Sequence, residues 1–184
     1  MMDVDQFRHD IVRPVIRHMD MWSPAAENLL VGTAIIESGL RYVRQLGGGP
    51  ALGLFQMEPA THEDHWVRYL SRRAALAAKV AHYTGTSVID PGRLIWNMGY
   101  ACAMARVHYW RRPEPLPHED DIDSLAAYWK AHYNTAAGAG KATKFASQTG
   151  NTQWGSARRT PPNRLRFIPQ HQCPRDCRGD ARQR

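Results

Sequence analysis

Hydrophobic and polar positions alternate at helical spacing through most of the first 146 residues. Four residues at the spacing i, i+3, i+4 and i+7 share one helix face: Leu30, Thr33, Ala34 and Glu37. Ser23 followed by Pro24 predicts the start of this helix, because Ser is a good N-cap and Pro fits the first turn. The pattern therefore places a carboxyl group, that of Glu37, on a face whose other residues are small or apolar.

The same spacing predicts further helices on both sides of this one. They are expected in four stretches: residues 4–18 (interrupted at Pro14), 58–83 (with one or two breaks), 92–110 (one long helix) and 124–133. Polar or proline-rich residues predict loops at 85–91 and 111–123. The third stretch carries apolar residues that predict the centre of the bundle: Leu94, Ile95, Met98, Cys102, Ala105 and Tyr109. The predicted fold class is mainly α, with one helical domain in residues 1–146.

The position of Glu37 predicts a carboxyl group with a raised pKa. Burial disfavours the charged form, and the negative end of the helix dipole near Gly39 acts in the same direction. A carboxylic acid that is still protonated near neutral pH can act as a general acid. The alternative is a structural Glu near a helix end whose side chain turns to solvent.

Two glycine-containing segments lie beside residues that suit a sugar ligand. Residues 47–50 (GGGP) and Gly53 predict a tight turn that can approach a ligand closely. Gln56 follows with an amide donor and acceptor. Tyr133 and Asn134 precede a second small-residue break, and an aromatic ring beside an amide suits a ligand with an apolar face and a hydroxyl edge.

Three short blocks, in this order, resemble the motifs of the soluble lytic transglycosylases of the lysozyme-like superfamily. They are Glu37-Ser38, the block GLFQ ending at Gln56 (with Pro59 and Thr61), and the block His132-Tyr133-Asn134 (with Gly138 and Gly140). The resemblance implies a lysozyme-like helical fold and a glycine-rich active-site loop, with peptidoglycan glycan strands as substrate and no metal or cofactor. It also implies Glu37 as the catalytic acid and later base, and it implies four residues that line the site: Ser38, Gln56, Tyr133 and Asn134. The chain departs from the family pattern at His132, Thr135 and Phe55, where the family more often has Tyr, Ala and Met.

By that resemblance, Glu37 would protonate the bridging oxygen between N-acetylmuramic acid and N-acetylglucosamine, and the C6 hydroxyl would then close a 1,6-anhydro ring. Glycoside cleavage usually needs two carboxylates. No Asp or Glu lies between Glu37 and Glu58, which favours a single carboxyl group assisted by the substrate's 2-acetamido group. Two alternatives stay open. One is a hydrolytic muramidase in which Glu58, Glu63 or Asp64 orients water, and the other is an inactive lysozyme-like protein with a structural or wall-binding role in a phage.

Two groups of residues carry side chains of the types that bind metal ions. His62 and His65, flanked by acidic residues, are more typical of a solvated first helical turn than of a metal site. His171, Cys173 and Cys177 lack a fourth ligand at suitable spacing. The chain has three cysteines, an odd number that does not indicate a disulfide framework. No metal site is predicted.

The basic charge of the chain is concentrated near its C-terminus. The net charge is +7, yet residues 147–184 hold eight Arg and two Asp, whereas residues 1–146 hold 16 basic and 15 acidic residues. A nearly neutral body gives little support to a nucleic-acid partner. Residues 147–184 have almost no apolar periodicity and are predicted to form a disordered tail. The alternative is a basic arm that binds anionic wall polymer or nucleic acid.

The N-terminus predicts neither secretion nor membrane insertion. Acidic residues stand where a signal peptide has basic ones, and no apolar stretch approaches the 18 or more residues of a membrane span. A wall-degrading enzyme without a signal peptide must reach its polymer in another way. We expect a phage protein that is carried in the virion with other virion proteins, or one that stays in the host cytoplasm until a holin releases it to the periplasm and cell wall. A specialised secretion system is the alternative.

Overall fold

A computed structural model describes residues 1–85, 88–134 and 142–149, and within these ranges the chain is mainly helical, as predicted. No β-strand occurs in these ranges, only isolated bridges. Two π-helical turns (Phe7–Val12 and His65–Tyr69) and a 3-10 turn (Leu70–Arg72) join neighbouring helices. The α-helices are α1 (Val4–Gln6), α2 (Arg13–His18), α3 (Pro24–Ser38), α4 (Pro59–Asp64), α5 (Ala74–Ala81), α6 (Arg93–Trp96), α7 (Met98–Trp110), α8 (Ile122–His132) and α9 (Ala142–Thr149).

Helix α7 lies at the centre of the bundle. Every residue from 100 to 107 is buried, and α7 contacts α2, α3, α5, α6 and both π-helical turns. The predicted central position of this stretch is therefore confirmed. The predicted single helix over 92–110 is wrong, because the backbone of Asn97 is extended (φ −116°, ψ 94°) and separates α6 from α7. The Asn97 side chain caps α7 by accepting a hydrogen bond from Tyr100 N at 2.9 Å.

Residues 4–18 form short helices, as predicted, but Pro14 does not interrupt the helical run. Helical structure is continuous from Val4 to His18, with the π-helical turn Phe7–Val12 between α1 and α2. Proline has no N–H to donate, and its ring clashes with the carbonyl four residues earlier in a regular α-helix. The wider π turn ahead of Pro14 changes that local geometry, so the helix continues.

Helix α3 begins and ends as the sequence predicts. The Ser23 hydroxyl accepts a hydrogen bond from Ala26 N at 3.1 Å, and Pro24 occupies the first helical position. The helix ends at Gly39, whose φ of +60° is the left-handed conformation that glycine adopts without strain. Glu37 is therefore the penultimate residue of a helix that is fixed at both ends.

The segment between α3 and α4 is a folded loop. Leu52 and Met57 exchange two backbone hydrogen bonds of 3.0 Å, and Gly53 N donates to Val43 O at 2.9 Å. Gly53 has φ +73°, and a Cβ at this position would lie 2.2 Å from the carbonyl oxygen of Leu94. The backbone at Gly53 was predicted to approach a ligand closely, and in the structure it lies close to α6 of the same chain. The absence of a side chain at Gly53 allows the loop to pack against that helix.

Helix α9 extends three residues past the predicted domain boundary at 146. Phe145 and Thr149 are fully buried, and α9 packs on α3 and α8. The rest of the predicted disordered tail, residues 150–184 with His171, Cys173 and Cys177, lies outside the described residues. None of the helices in the described ranges is long and apolar enough to cross a membrane.

Candidate active site

Glu37 is partly buried between α3 and α8, as the sequence predicts. The indole Nε1 of Trp129, in α8, donates a hydrogen bond of 3.0 Å to Glu37 Oε1. Burial raises the pKa of Glu37 to about 7, while hydrogen bonds from Trp129 and Asn134 and the charges of Lys144 and Lys130 act in the opposite direction. The side chain can therefore give or take a proton near neutral pH.

Trp129 is held in place by its own packing. Its side chain is fully buried, and its ring centroid lies 5.6 Å from that of Phe145. Phe145 in turn covers Gly32 on α3, where a Cβ would meet the ring at 2.2 Å. Helical spacing in the sequence does not predict the bond from Trp129 to Glu37. A buried indole N–H needs an acceptor, and a carboxyl group on an apolar helix face needs a donor, so the pairing could have been anticipated.

Asn134 joins Glu37 at the end of α8. Lys130 Nζ donates to Asn134 Oδ1 at 2.9 Å, which orients the side-chain amide. A hydrogen bond from that amide helps to lower the pKa of Glu37 from the value that burial alone would give. Lys130 and Asn134 are four residues apart at the end of a helix, and this i, i+4 spacing is the feature of the sequence that indicates the contact between their side chains.

Tyr133 connects the second and third sequence blocks. Its hydroxyl donates to the backbone carbonyl of Phe55 at 2.8 Å, and its ring centroid lies 5.3 Å from that of Tyr109 and 4.8 Å from that of His108. Because Asn134 follows directly, this bond fixes the position of the Asn134 amide relative to the loop that contains Gln56. Tyr133 thus holds the site together in addition to any contact with a ligand.

Ser38 and Gln56 make local hydrogen bonds. The Ser38 side chain is buried, and its hydroxyl donates to Ala34 O, one turn back in α3, at 3.0 Å. Gln56 has φ +47°, and its Nε2 donates to Gly53 O in the same loop at 2.7 Å. The structure therefore brings Glu37, Asn134 and Tyr133 together, whereas the polar groups of Ser38 and Gln56 contact their own segments. Thr135, Gly138 and Gly140, which follow Asn134, lie outside the described residues.

His62 and His65 are buried, so the prediction of a solvated helix start is wrong. His62 Nε2 lies 2.6 Å from the hydroxyl of Tyr100, and burial lowers the pKa of His62 to about 4. The face of the helix that carries both rings packs against α7, and the acidic neighbours gave no sign of this in the sequence. Within the described ranges, no group of three or more His, Cys, Asp or Glu side chains is placed to hold a metal ion.

His65 belongs to a chain of hydrogen bonds that links Arg111 to His132. Arg111 in the loop after α7 contacts His65 Nδ1, His65 Nε2 lies 3.0 Å from His108 Nδ1, and His108 Nε2 lies 2.7 Å from His132 O. One arrangement satisfies every link, with each ring accepting at Nδ1 and donating at Nε2. Both rings are then neutral. The chain ends at the residue before Tyr133 and so supports the position of the third sequence block.

The three acidic residues considered as partners for Glu37 have other environments. Glu58 and Glu63 are exposed. Asp64 forms ion pairs with Arg111 at 2.6 Å and with Arg68 at 3.3 Å, and its hydrogen bond with Arg111 lowers its pKa. None of the groups that shift the pKa of Glu37 is a carboxylate. Among the residues that the structure describes, the polar groups that act on Glu37 are thus hydrogen-bond donors and positively charged side chains.

No protein-family model matches this chain, and neither does any curated protein or solved structure.

Proposed function

We propose that this chain is a peptidoglycan-degrading enzyme, a lytic transglycosylase with a lysozyme-like domain and Glu37 as its single catalytic carboxyl group. The observation that carries the proposal is the environment of Glu37, a partly buried carboxyl group with a pKa of about 7. Trp129 and Asn134 hold it, and Tyr133 ties the neighbouring loop to the same place. The three sequence blocks that resemble the transglycosylase motifs support a glycan substrate.

The proton chemistry of the proposed reaction fits one carboxyl group. Protonated Glu37 gives its proton to the oxygen that bridges C1 of N-acetylmuramic acid and C4 of N-acetylglucosamine, and the C1–O bond breaks. The substrate's 2-acetamido oxygen stabilises the positive charge at C1. The C6 hydroxyl oxygen then bonds to C1, its proton passes to the Glu37 carboxylate, and a 1,6-anhydro ring results. A pKa near neutral pH suits a group that must both donate and accept a proton.

The hydrogen bond from Trp129 supports both halves of this cycle. The indole N–H donates a hydrogen bond to Oε1, which fixes the orientation of the carboxyl group. After transfer, the same bond and the positive charges of Lys144 and Lys130 favour the carboxylate. The Glu37 carboxyl group is therefore held in one orientation when protonated, and its charge is stabilised when it is ionised.

The surroundings of Glu37 favour attack by the substrate's own hydroxyl over attack by water. A hydrolytic muramidase would use a second carboxylate to orient water. Asp64 is occupied by Arg111, and Glu58 and Glu63 are exposed. An inactive phage structural or wall-binding protein is the remaining alternative. Delivery in a virion, or release from the host cytoplasm by a holin, is part of the same proposal.

Mass spectrometry of the sugars released from purified sacculi tests the proposal. We expect muropeptides that end in 1,6-anhydro-N-acetylmuramic acid, lighter by one water than the hydrolytic product. Release of the hydrated product would move the assignment to a muramidase. Release of no sugars by a folded preparation, alongside a lysozyme control that digests the same sacculi, would favour the inactive structural protein.

A further inference from the structure

A second candidate site lies at the other end of α3 from Glu37. A cavity of about 480 Å³ opens between the start of α3, the end of α7 and the loop that follows α7. Ser23, the N-cap of α3, lines it, and Glu37 lies 14 positions further along the chain. With a rise of 1.5 Å per residue, the Ser23 end of the cavity lies roughly 20 Å from Glu37. Tyr109 forms the wall on the side of the proposed active site, and the charge of Glu37 acts on its hydroxyl.

Arg106 on α7 brings a buried positive charge to this cavity. Only 4% of the residue is exposed. Its Nε donates to the backbone oxygen of Met21 at 3.2 Å, and its guanidinium carbon lies 4.9 Å from the centre of the Trp110 ring. Within the described ranges it forms no ion pair, and no carboxylate contributes to its electrostatic environment. A buried charge without a counter-charge is costly, and Arg106 is one of the residues that line the cavity.

The acidic side chains that line the cavity have partners of their own. Asp20 is ion-paired with Lys79 on α5. Glu114 is largely exposed, and its carboxylate lies 4.0 Å from His132 Nε2. The hydroxyl of Tyr128, another lining residue, donates to Glu114 O at 3.0 Å. These groups do not neutralise Arg106, whereas a ligand that carries an anion could.

Aromatic rings form the apolar walls. Trp22 and Trp110 line the cavity and are partly exposed, and the indole of Trp22 is held by a 2.8 Å hydrogen bond to Glu27. Met21 and Trp110 also line a second cavity of about 470 Å³, which extends toward Leu76. An apolar group that enters beside Arg106 would therefore lie against flat, well-anchored surfaces.

We propose that this cavity binds an organic carboxylate, with the carboxylate paired to the Arg106 guanidinium and the attached apolar group packed against Trp22 and Trp110. The planar guanidinium matches a carboxylate through two parallel N–H···O bonds, and the desolvated setting strengthens them. The ligand class is a carboxylate with an aromatic or branched aliphatic substituent, as at the C-terminus of a short peptide. Binding at this site does not depend on the activity proposed for Glu37.

The test uses N-acetyl-L-phenylalanine and its amide, which differ only in the carboxylate. Two-dimensional NMR of ¹⁵N-labelled full-length protein reports the site, with indole signals assigned through single Trp→Phe variants. We expect the acid to shift the signals of Trp22 and Trp110, to leave that of Trp129 unchanged, and to bind with a Kd of about 1 mM or tighter. The amide should bind about tenfold more weakly or worse.

Arg106→Gln removes the charge and keeps a donor for Met21 O, and it should weaken binding of the acid about tenfold or more. Arg72→Gln is the matched control, because Arg72 is exposed on the 3-10 turn before α5 and its loss should leave binding unchanged. Equal affinity for acid and amide, or no indole shift at 20 mM acid, would overturn the proposal. Sulfate that binds as tightly as the acid would overturn the apolar half of it. If Arg106→Gln does not fold, the comparison of acid and amide on the unmodified protein still decides.

Discussion

Glu37 is the residue whose chemistry depends most on its neighbours. Burial raises the pKa of Glu37, hydrogen bonds from Trp129 and Asn134 and two lysine charges lower it, and the resulting pKa is about 7. A fully exposed Glu would titrate near 4.3 and would be a poor acid at neutral pH. A Glu with burial and no donors would be a poor base. The proposed reaction requires this balance, because Glu37 must act first as an acid and then as a base.

Replacing Trp129 should change that balance in a known direction. Trp129→Phe removes the donor to the carboxylate, so the pKa of Glu37 should rise and the alkaline limb of the activity profile should move to higher pH. The measurement is the initial rate of sacculus digestion between pH 5 and 9. Trp96→Phe is the control, because Trp96 is exposed and should leave the profile unchanged. A Trp129→Phe profile that coincides with the unmodified one would contradict the proposed role of the bond.

At the scale of elements, α9 holds the donor of the site in place. Phe145 on α9 fills the space above Gly32 on α3 and packs against Trp129 on α8. Because a side chain at position 32 would collide with the ring, the glycine is required by this contact and not by its backbone. Helix α9 thus fixes the distance between the helix that carries Glu37 and the helix that carries its donor.

A double-mutant cycle measures this contact. Gly32→Ala should destabilise the native background, since the Phe145 ring must move. Phe145→Ala should cost about 3–5 kcal/mol of unfolding free energy. In the Phe145→Ala background the clash is gone, so Gly32→Ala should stabilise by up to about 1 kcal/mol through helix propensity. Urea denaturation gives all four values.

The exposed residue Gln148 on the same helix provides the control, since Gln148→Ala should change stability by no more than about 0.5 kcal/mol. The same sign and size for Gly32→Ala in both backgrounds would show that Phe145 does not pack on Gly32 in solution.

An element can be predicted from the sequence when the residues that determine it lie close together along the chain. The start of α3 depends on Ser23 and Pro24, which act within one turn, and the core position of α7 depends on its own apolar residues. The break at Asn97 was missed because its side chain also donates to Tyr83 O, a residue distant in sequence.

At the candidate site, too, features set by neighbouring residues could be predicted, and contacts between distant segments could not. The helix that presents Glu37 and the raised pKa were predictable from residues 30 to 37. The Trp129 donor and the link from Tyr133 to Phe55 join segments 92 and 78 residues apart, which helical periodicity cannot reveal. His62 and His65 look solvated in the sequence because their neighbours are charged, yet both rings pack against α7.

At the scale of the whole molecule, buried histidines make stability depend on pH. Burial lowers the pKa of His62 to about 4, of His65 to about 3 and of His108 to about 4. Below pH 6.5 the unfolded chain takes up protons at these positions and the folded chain does not, so the folded state loses stability as pH falls. Glu37 acts oppositely between its unfolded value and about 7, and one carboxyl group offsets only part of three histidines.

We therefore expect the unfolding free energy to be several kcal/mol lower at pH 5 than at pH 7.5. Urea denaturation at the two pH values measures this loss. His65→Gln should lower stability at pH 7.5, because it disturbs the bonds to His108 and Arg111, and should make the loss toward pH 5 smaller. His118→Gln, at an exposed position, should leave the loss unchanged. An equal loss in the His65→Gln variant would exclude His65 as a contributor.

The most direct test of the central claim is Glu37→Gln, measured for stability and for sacculus digestion, with Glu63→Gln as the matched exposed control. Gln keeps the acceptor for Trp129 but carries no transferable proton, so digestion should fall by a factor of at least roughly 10² to 10⁴ while the chain stays folded. The ionised carboxylate is costly in the folded protein above pH 7, so Glu37→Gln should be more stable than the unmodified protein at pH 8, by up to about 3 kcal/mol, and nearly equal to it at pH 4. A Glu37→Gln variant that digests sacculi at the unmodified rate, or whose stability relative to the unmodified protein is the same at pH 4 and pH 8, would contradict the account.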